Sequence, residues 1–113
     1  MKPTITFEDF SKVDIRTGTI IKVNDFPKAH KAAYQLLIDF GLLGRKKSSA
    51  QITGLYTKKE LLNKQIIAII NFKEKQIANF KSECLVLGIE NNKKEIVLLQ
   101  ASKTSLKNGE QVS

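Results

Sequence analysis

The chain of 113 residues has no Trp, one Cys, one His and two Pro. A single Cys excludes an intrachain disulfide and any zinc site built on paired cysteines. With His30 as the only imidazole, a Ser/His/Asp or Cys/His centre would have to be built around it. The longest aliphatic run is Ile66–Ile70, far short of the roughly 18 residues a membrane span needs. The first ten residues, MKPTITFEDF, carry acids where a signal peptide has its apolar stretch. A cytoplasmic protein without membrane insertion is therefore the expectation. There is no Gly-rich phosphate loop, since Gly41 and Gly44 merely flank two leucines, and no pair of acids has metal-ligand spacing. No enzyme, no cofactor and no metal are expected.

What is present describes an ordinary globular chain, 42% hydrophobic and 27% charged. Its length suits one domain, spanning residues 1–113. Nineteen Lys+Arg against 11 Asp+Glu give a net charge of +8, and position sharpens that number. Residues 1–27 sum to zero, with Lys2, Lys12, Arg16 and Lys22 against Glu8, Asp9, Asp14 and Asp25. Residues 82–113 also sum to zero. The whole excess lies between residues 28 and 81, where only Asp39, Glu60 and Glu74 oppose the bases. A concentrated basic field attracts phosphate backbones, anionic membranes or acidic proteins. Only Arg16 and Arg45 are arginines, so the field suits point-charge phosphate contacts better than bidentate base readout.

Two capping boxes predict short helices: Thr6 with Asp9 and Thr57 with Glu60, each three residues apart and next to apolar positions. Asn63 suits a left-handed C-terminal position. The rest reads as strand: Val13–Val23 with Gly18 as a bend or bulge, Tyr34–Phe40, Arg45–Ile52, Gln65–Phe72, Cys84–Ile89 and Ile96–Gln100. Pro27–Lys31 is a loop, and Glu90–Glu95 around Asn91-Asn92 is a hairpin turn. Three strands, a helix and further strands predict an all-β fold with short helices, a five-stranded OB-fold barrel with the helix between strands three and four. A short N-terminal helix and a C-terminal extension complete it. Ile66–Ile70, Leu85–Ile89 and Ile96–Leu99 are apolar at successive positions, although a barrel interior buries only one face of a strand. The other face needs a cover, and a homodimer is the expected one. Asp14 and Arg16, two apart, read as a structural ion pair, Cys84 as a small buried hydrophobe, and His30 as a loop contact to phosphate or substrate.

Several strings resemble a known family. Val13-Asp14-Ile15-Arg16-Thr17-Gly18-Thr19-Ile20, the loop Pro27 to Tyr34, Ile38-Asp39-Phe40-Gly41 and Asn71-Phe72-Lys73 resemble landmarks of the tRNA-binding domain family of OB-folds. Phe80-Lys81-Ser82-Glu83-Cys84-Leu85-Val86-Leu87-Gly88 and Ser48-Ser49-Ala50-Gln51-Ile52-Thr53 look most like its CsaA branch of secretion-related chaperones. The resemblance covers residues 7 to about 112 and implies a homodimeric OB-fold. It carries family RNA contacts to Asn71, Lys73 and Ser82, with Lys28 and Lys31 in a matching loop. Glu74 and Glu83 depart from the tRNA-binding pattern and add negative charge near those contacts.

Two functions follow. An OB-fold binds RNA on strands two and three and their loops. Arg45, Lys46, Lys47 and Ser49 lie on the third strand, and Lys28, Lys31, Lys73 and Lys81 would ring the face, for tRNA or another structured RNA. The CsaA resemblance implies instead a chaperone for unfolded or precursor polypeptides, with Phe26, Tyr34, Leu55, Tyr56, Phe72 and Phe80 as candidate groove walls. The same aromatics could fill the barrel core, which is the expected place of Phe72 and Phe80.

Overall fold

Both capping boxes form. In a computed structural model describing residues 1–104 and 106–113, α1 (Phe7–Ser11) starts where Thr6 Oγ1 accepts from Asp9 N at 3.0 Å and Asp9 Oδ2 accepts from Thr6 N at 3.1 Å. α2 (Lys58–Leu61) repeats the exchange between Thr57 and Glu60 at 3.0 and 3.2 Å. The Thr57 backbone N–H holds the Glu60 carboxyl below the usual range. Asn63 turns left-handed at φ 69° and donates its N–H to Ile20 O at 2.7 Å, which stitches the end of α2 to the sheet. Leu61 of α2 is fully buried and joins the core.

The strands are β1 (Ile15–Asp25), β2 (Tyr34–Asp39), β3 (Arg45–Ala50), β4 (Gln65–Ile69), β5 (Lys75–Ile77), β6 (Phe80–Ser82), β7 (Leu85–Val86), β8 (Gly88–Glu90) and β9 (Ile96–Leu98). A five-stranded antiparallel sheet runs β3-β2-β1-β4-β7, with α2 between β3 and β4 in the chain. Alternation places Leu36, Ile38 and Phe40 inside with Ile20, Ile66 and Ala68. The barrel nearly closes where β3 meets the turn before β7. Glu83 N donates to Lys47 O at 2.7 Å, Lys47 N to Glu83 Oε1 at 2.8 Å, and Ser48 Oγ to Cys84 O at 3.0 Å. The architecture is that of an OB-fold.

Gly18 marks no bulge. A Cβ there would lie 2.6 Å from Phe40 Cε1 and 2.7 Å from Ile38 Cγ2, so glycine is required by the closely packed core. The bulge comes later, where the register slips between Ile20, opposite Ile38, and Lys22, opposite Leu37. Asp14 and Arg16 do pair, Nε to Oδ1 at 2.6 Å, and Arg16 also donates to Gly109 O. The C-terminal segment zips along the first half of β1 through Gly109 N to Thr17 O and Val112 N to Ile15 O.

The expected strand Cys84–Ile89 divides. β7 pairs with β4, β8 pairs with β9, and Leu87 between them donates to Ile67 O and accepts from Leu99 N. Asn91 Oδ1 caps the hairpin turn by accepting from Lys93 N and Glu95 N, both at 2.9 Å. The outer apolar face stays open: Leu85, Ile89 and Val97 are exposed, and Ile67 and Ile69 are half-buried. The β5–β6 hairpin, absent from the sequence reading, leans on β3.

Candidate ligand-binding face

The bulge in β1 decides what the sheet shows to solvent. An inserted residue reverses the parity of everything after it. Ile20 points inward, yet Lys22 and Asn24 point outward, because their partners Leu37 and Gln35 belong to the outer set of β2. Across β2, Leu37 faces Lys47, Gln35 faces Ser49, and Asp39 faces Arg45. The outer sheet therefore carries two rows, Lys22–Leu37–Lys47 and Asn24–Gln35–Ser49.

Phe80 of β6 closes one side of these rows. A cleft of about 240 Å³ lies between them, walled by Leu37 and Phe80 over the backbone of the buried Leu36 and rimmed by Lys22, Asn24, Gln35 and Lys47. Phe80 is fixed from two sides. Its ring lies 5.5 Å from that of Phe26 at 59°, and Lys47 Nζ sits 5.3 Å from its centroid. The arrangement offers apolar contact in the middle, amide hydrogen bonding at one end and positive charge at the rim.

The remaining candidates scatter. Lys46 faces Ile38, a core position, so it lies on the opposite side of β3 from Arg45 and Lys47, and the three do not form one patch. Asn71 is committed to the fold: its Oδ1 accepts from Asp14 N at 2.9 Å and its Nδ2 donates to Lys12 O at 2.7 Å. Ser82 accepts from Ser49 N at 3.0 Å and so ties β6 to β3. Lys28 and Lys31 are exposed on the β1–β2 loop, Lys73 is exposed after β4, and Lys81 lies 4.0 Å from Glu74, an exposed pair of little energetic weight. Glu83 uses its carboxylate on the Lys47 N–H, which closes the barrel.

The six groove candidates do not share a groove. Phe26 is only 5% exposed and supports Phe80 from behind. Tyr34 and Tyr56 pack against the core. Tyr34 Oη donates to Tyr56 O at 2.9 Å, and Tyr56 Oη accepts from Leu98 N at 3.0 Å. Leu55 is exposed on the turn before α2. Phe72, expected in the core, is 55% exposed, because β4 ends at Ile69 and the chain leaves the sheet before reaching it. It borders a separate hollow of about 300 Å³ with Lys73 and Leu85. Phe80, also expected in the core, is half-buried at the cleft wall.

Sequence reasoning missed Lys22 and Asn24. Lys22 lies in the neutral stretch 1–27, and only the pairing with β2 sets it across Leu37 from Lys47. Cys84 is buried as expected, and loss of solvation pushes its thiol up to about 12. Among the described residues no three His, Cys, Asp or Glu side chains gather as metal ligands, and no helix is long and apolar enough to cross a membrane.

A family described as "Putative tRNA binding domain" matches residues 15–111. Two solved structures align over nearly the whole of both chains. The chaperone CsaA from Bacillus anthracis is 45% identical with a TM-score of 0.92, covering 98% of this chain and 100% of that one. The CsaA chaperone protein from Picrophilus torridus is 50% identical with a TM-score of 0.89, covering 97% and 100%. The methionine–tRNA ligase of Chlorobium chlorochromatii is 32% identical over 111 residues, which are 98% of this chain and 15% of the ligase. The chain thus spans about one seventh of that enzyme's length.

Proposed function

The chain belongs to the tRNA-binding domain family, in its CsaA branch, and from that premise we propose that it is an export-related molecular chaperone, not an enzyme, that binds unfolded or precursor polypeptides. The observation that carries this reading is the cleft beside Phe80, apolar at Leu37 and Phe80 and positive only at its rim. An unfolded segment would place one apolar side chain against these two residues. Asn24 and Gln35 would hydrogen-bond its backbone, and Lys22 and Lys47 would meet an acidic neighbour. One buried apolar side chain contributes about 1.5–3 kcal/mol, which alone gives weak capture.

Two clefts in one particle raise that capture by avidity. In this reading the protein acts as a homodimer, which would carry two such clefts. The exposed Leu85, Ile89 and Val97, flanked by Ile67 and Ile69, are the face through which two copies pair.

A second reading rests on a different observation. Lys22, Arg45 and Lys47 share the outer sheet with a single carboxylate, Asp39, which itself accepts from Gly41 N at 2.8 Å. With Lys28, Lys31 and Lys73 around it, this face suits the phosphates of tRNA or another structured RNA. The logarithm of RNA affinity should then fall against that of salt with a slope of about −0.7 per contact on single strands.

Leu37→Gln separates the two readings, because Leu37 is half-buried on the outer face of the sheet and its replacement changes no charge. Binding of a labelled, chemically unfolded polypeptide is expected to weaken at least about fivefold, and tRNA binding to stay within about twofold. Unchanged polypeptide binding would remove the cleft from the mechanism.

A further inference from the structure

Of the asparagines in the chain, only Asn108 is followed by glycine. An Asn-Gly pair is prone to react with itself, because no side chain shields the glycine nitrogen from the Asn side-chain carbonyl carbon. Here the pair lies half-buried in residues 106–112, the strap laid along β1. Both reacting groups are engaged. Gly109 N, the nucleophile of such a reaction, donates to Thr17 O at 2.7 Å. Asn108 Oδ1 accepts from Thr19 Oγ1 at 2.8 Å and from Gln65 Nε2 at 3.2 Å. Gln65 is held in that orientation, since its Nε2 also donates to Leu106 O and its Oε1 accepts from Leu106 N. Two donors on Oδ1 draw electrons from the carbonyl carbon, while the hydrogen bond to Thr17 O withholds the nitrogen that would attack it.

The register of the strap converges on one residue. Thr17 N donates to Glu110 O and Thr17 O accepts from Gly109 N. Thr17 Oγ1 donates to Lys107 O at 2.8 Å and accepts from Glu110 N at 3.0 Å. Thr17 is only 2% exposed. These bonds reach residues on both sides of the Asn108–Gly109 peptide, so they fix the length of chain between them. Asn108 O is confined as well, since a Cβ on Gly41 would lie 2.6 Å from it.

We propose that Asn108 is a modification site gated by this strap, and that its conversion to isoaspartate holds the strap open. When the strap leaves β1, the Gly109 nitrogen gives its proton to a solvent base and attacks Asn108 Cγ. The N–Cγ bond forms, the Cγ–Nδ2 bond breaks, and Nδ2 leaves as ammonia with the proton the base had taken. One water then opens the five-membered imide. Opening at Cγ gives aspartate. Opening at the main-chain carbonyl gives isoaspartate, whose main chain runs through Cγ and is one methylene longer. The longer chain cannot bring Lys107 O, Gly109 N and Glu110 N to Thr17 together, and its new carboxylate arises where the Asn108 carbonyl packs on Gly41. The edge of β1 at Ile15 and Thr17 then stays uncovered. This switch needs neither function proposed above.

The test incubates the full chain in mildly alkaline buffer, native and in urea, and follows the asparagine, aspartate and isoaspartate forms of residue 108 by peptide mapping and mass spectrometry. Conversion is expected to be at least about tenfold slower in the native protein than in the unfolded chain. Thr17→Val removes the bonds to Lys107 O and Glu110 N and should speed native conversion at least about threefold. Thr57→Ala weakens the fold at α2 without touching the strap and should change the rate less than about twofold. The isoaspartate form, separated by its added charge, should exchange the amide hydrogens of Thr17, Glu110 and Val112 faster, while those of Leu36 and Ile38 keep the wild-type rate. Equal rates in native and unfolded protein, no acceleration in Thr17→Val, as much acceleration in Thr57→Ala, or an isoaspartate form with the wild-type exchange pattern would each overturn the proposal.

Discussion

Removing the Phe80 ring tests the cleft where fold and function meet. Full burial of a Phe makes truncation to Ala cost about 3–5 kcal/mol. Phe80 is half-buried, so Phe80→Ala should cost about 2 kcal/mol, in part because it uncovers Phe26, whose ring lies 5.5 Å away. The cation–π contact with Lys47 can be isolated. Lys47→Met keeps the aliphatic stem and removes the charge that sits 5.3 Å from the ring centroid. At a partly exposed site such a contact is worth about 0.5–1 kcal/mol. Urea unfolding of wild type, both single variants and the double variant closes a double-mutant cycle. A coupling energy of about 0.5–1 kcal/mol is expected. A coupling below about 0.3 kcal/mol, or a loss under about 0.5 kcal/mol for Phe80→Ala, would show that the ring is not held as described.

Gly18→Ala should destabilise by at least about 1–3 kcal/mol, since its Cβ would meet buried Phe40 and Ile38 at 2.6–2.7 Å. A variant as stable as wild type in a thermal melt would contradict the packing. Thr57→Ala should lose about 1 kcal/mol with the cap of α2, measurable by the same melt. The Glu60 carboxyl has a folded pKa below its unfolded one. Its contribution is therefore present above the unfolded value and disappears as pH falls through the folded one. The stability gap between wild type and Glu60→Ala should accordingly shrink in acid. Cys84 behaves in the opposite sense. Its pKa is raised from 9.0 to about 12, so stability is fully present below 9 and is lost as pH rises toward the folded value. Alkylation at pH 8 should be slow until denaturant is added, and labelling of native protein at the rate of a free thiol would refute its burial.

Features fixed by near neighbours in the chain were legible. The capping boxes at Thr6 and Thr57 depend on groups three residues apart, and the alternation of Tyr34–Phe40 depends on one strand. Features fixed by distant partners were not. The reversal that turns Lys22 and Asn24 outward is a property of the pairing with β2, and the sequence around Ile21 has no sign of it. The β5–β6 hairpin is short and polar, and its place depends on Ser82 meeting Ser49. Gly18 looked like a bend because its real reason, the ring of Phe40, lies more than twenty residues away. Asn71 is a ligand contact only by the family resemblance, while its amide is bonded to the backbone of Lys12 and Asp14. Phe72 continued an apolar run whose strand had already ended.

The central claim is that an apolar cleft, more than the positive charge around it, captures unfolded chains. Suppression of aggregation of a chemically unfolded protein, followed by light scattering in low salt and at about 0.3 M salt, tests it directly, because salt screens exposed charges and leaves apolar contact intact. Suppression that persists at the higher salt and falls in Leu37→Gln is the expected result. Suppression that vanishes with salt, in wild type and variant alike, would contradict the account.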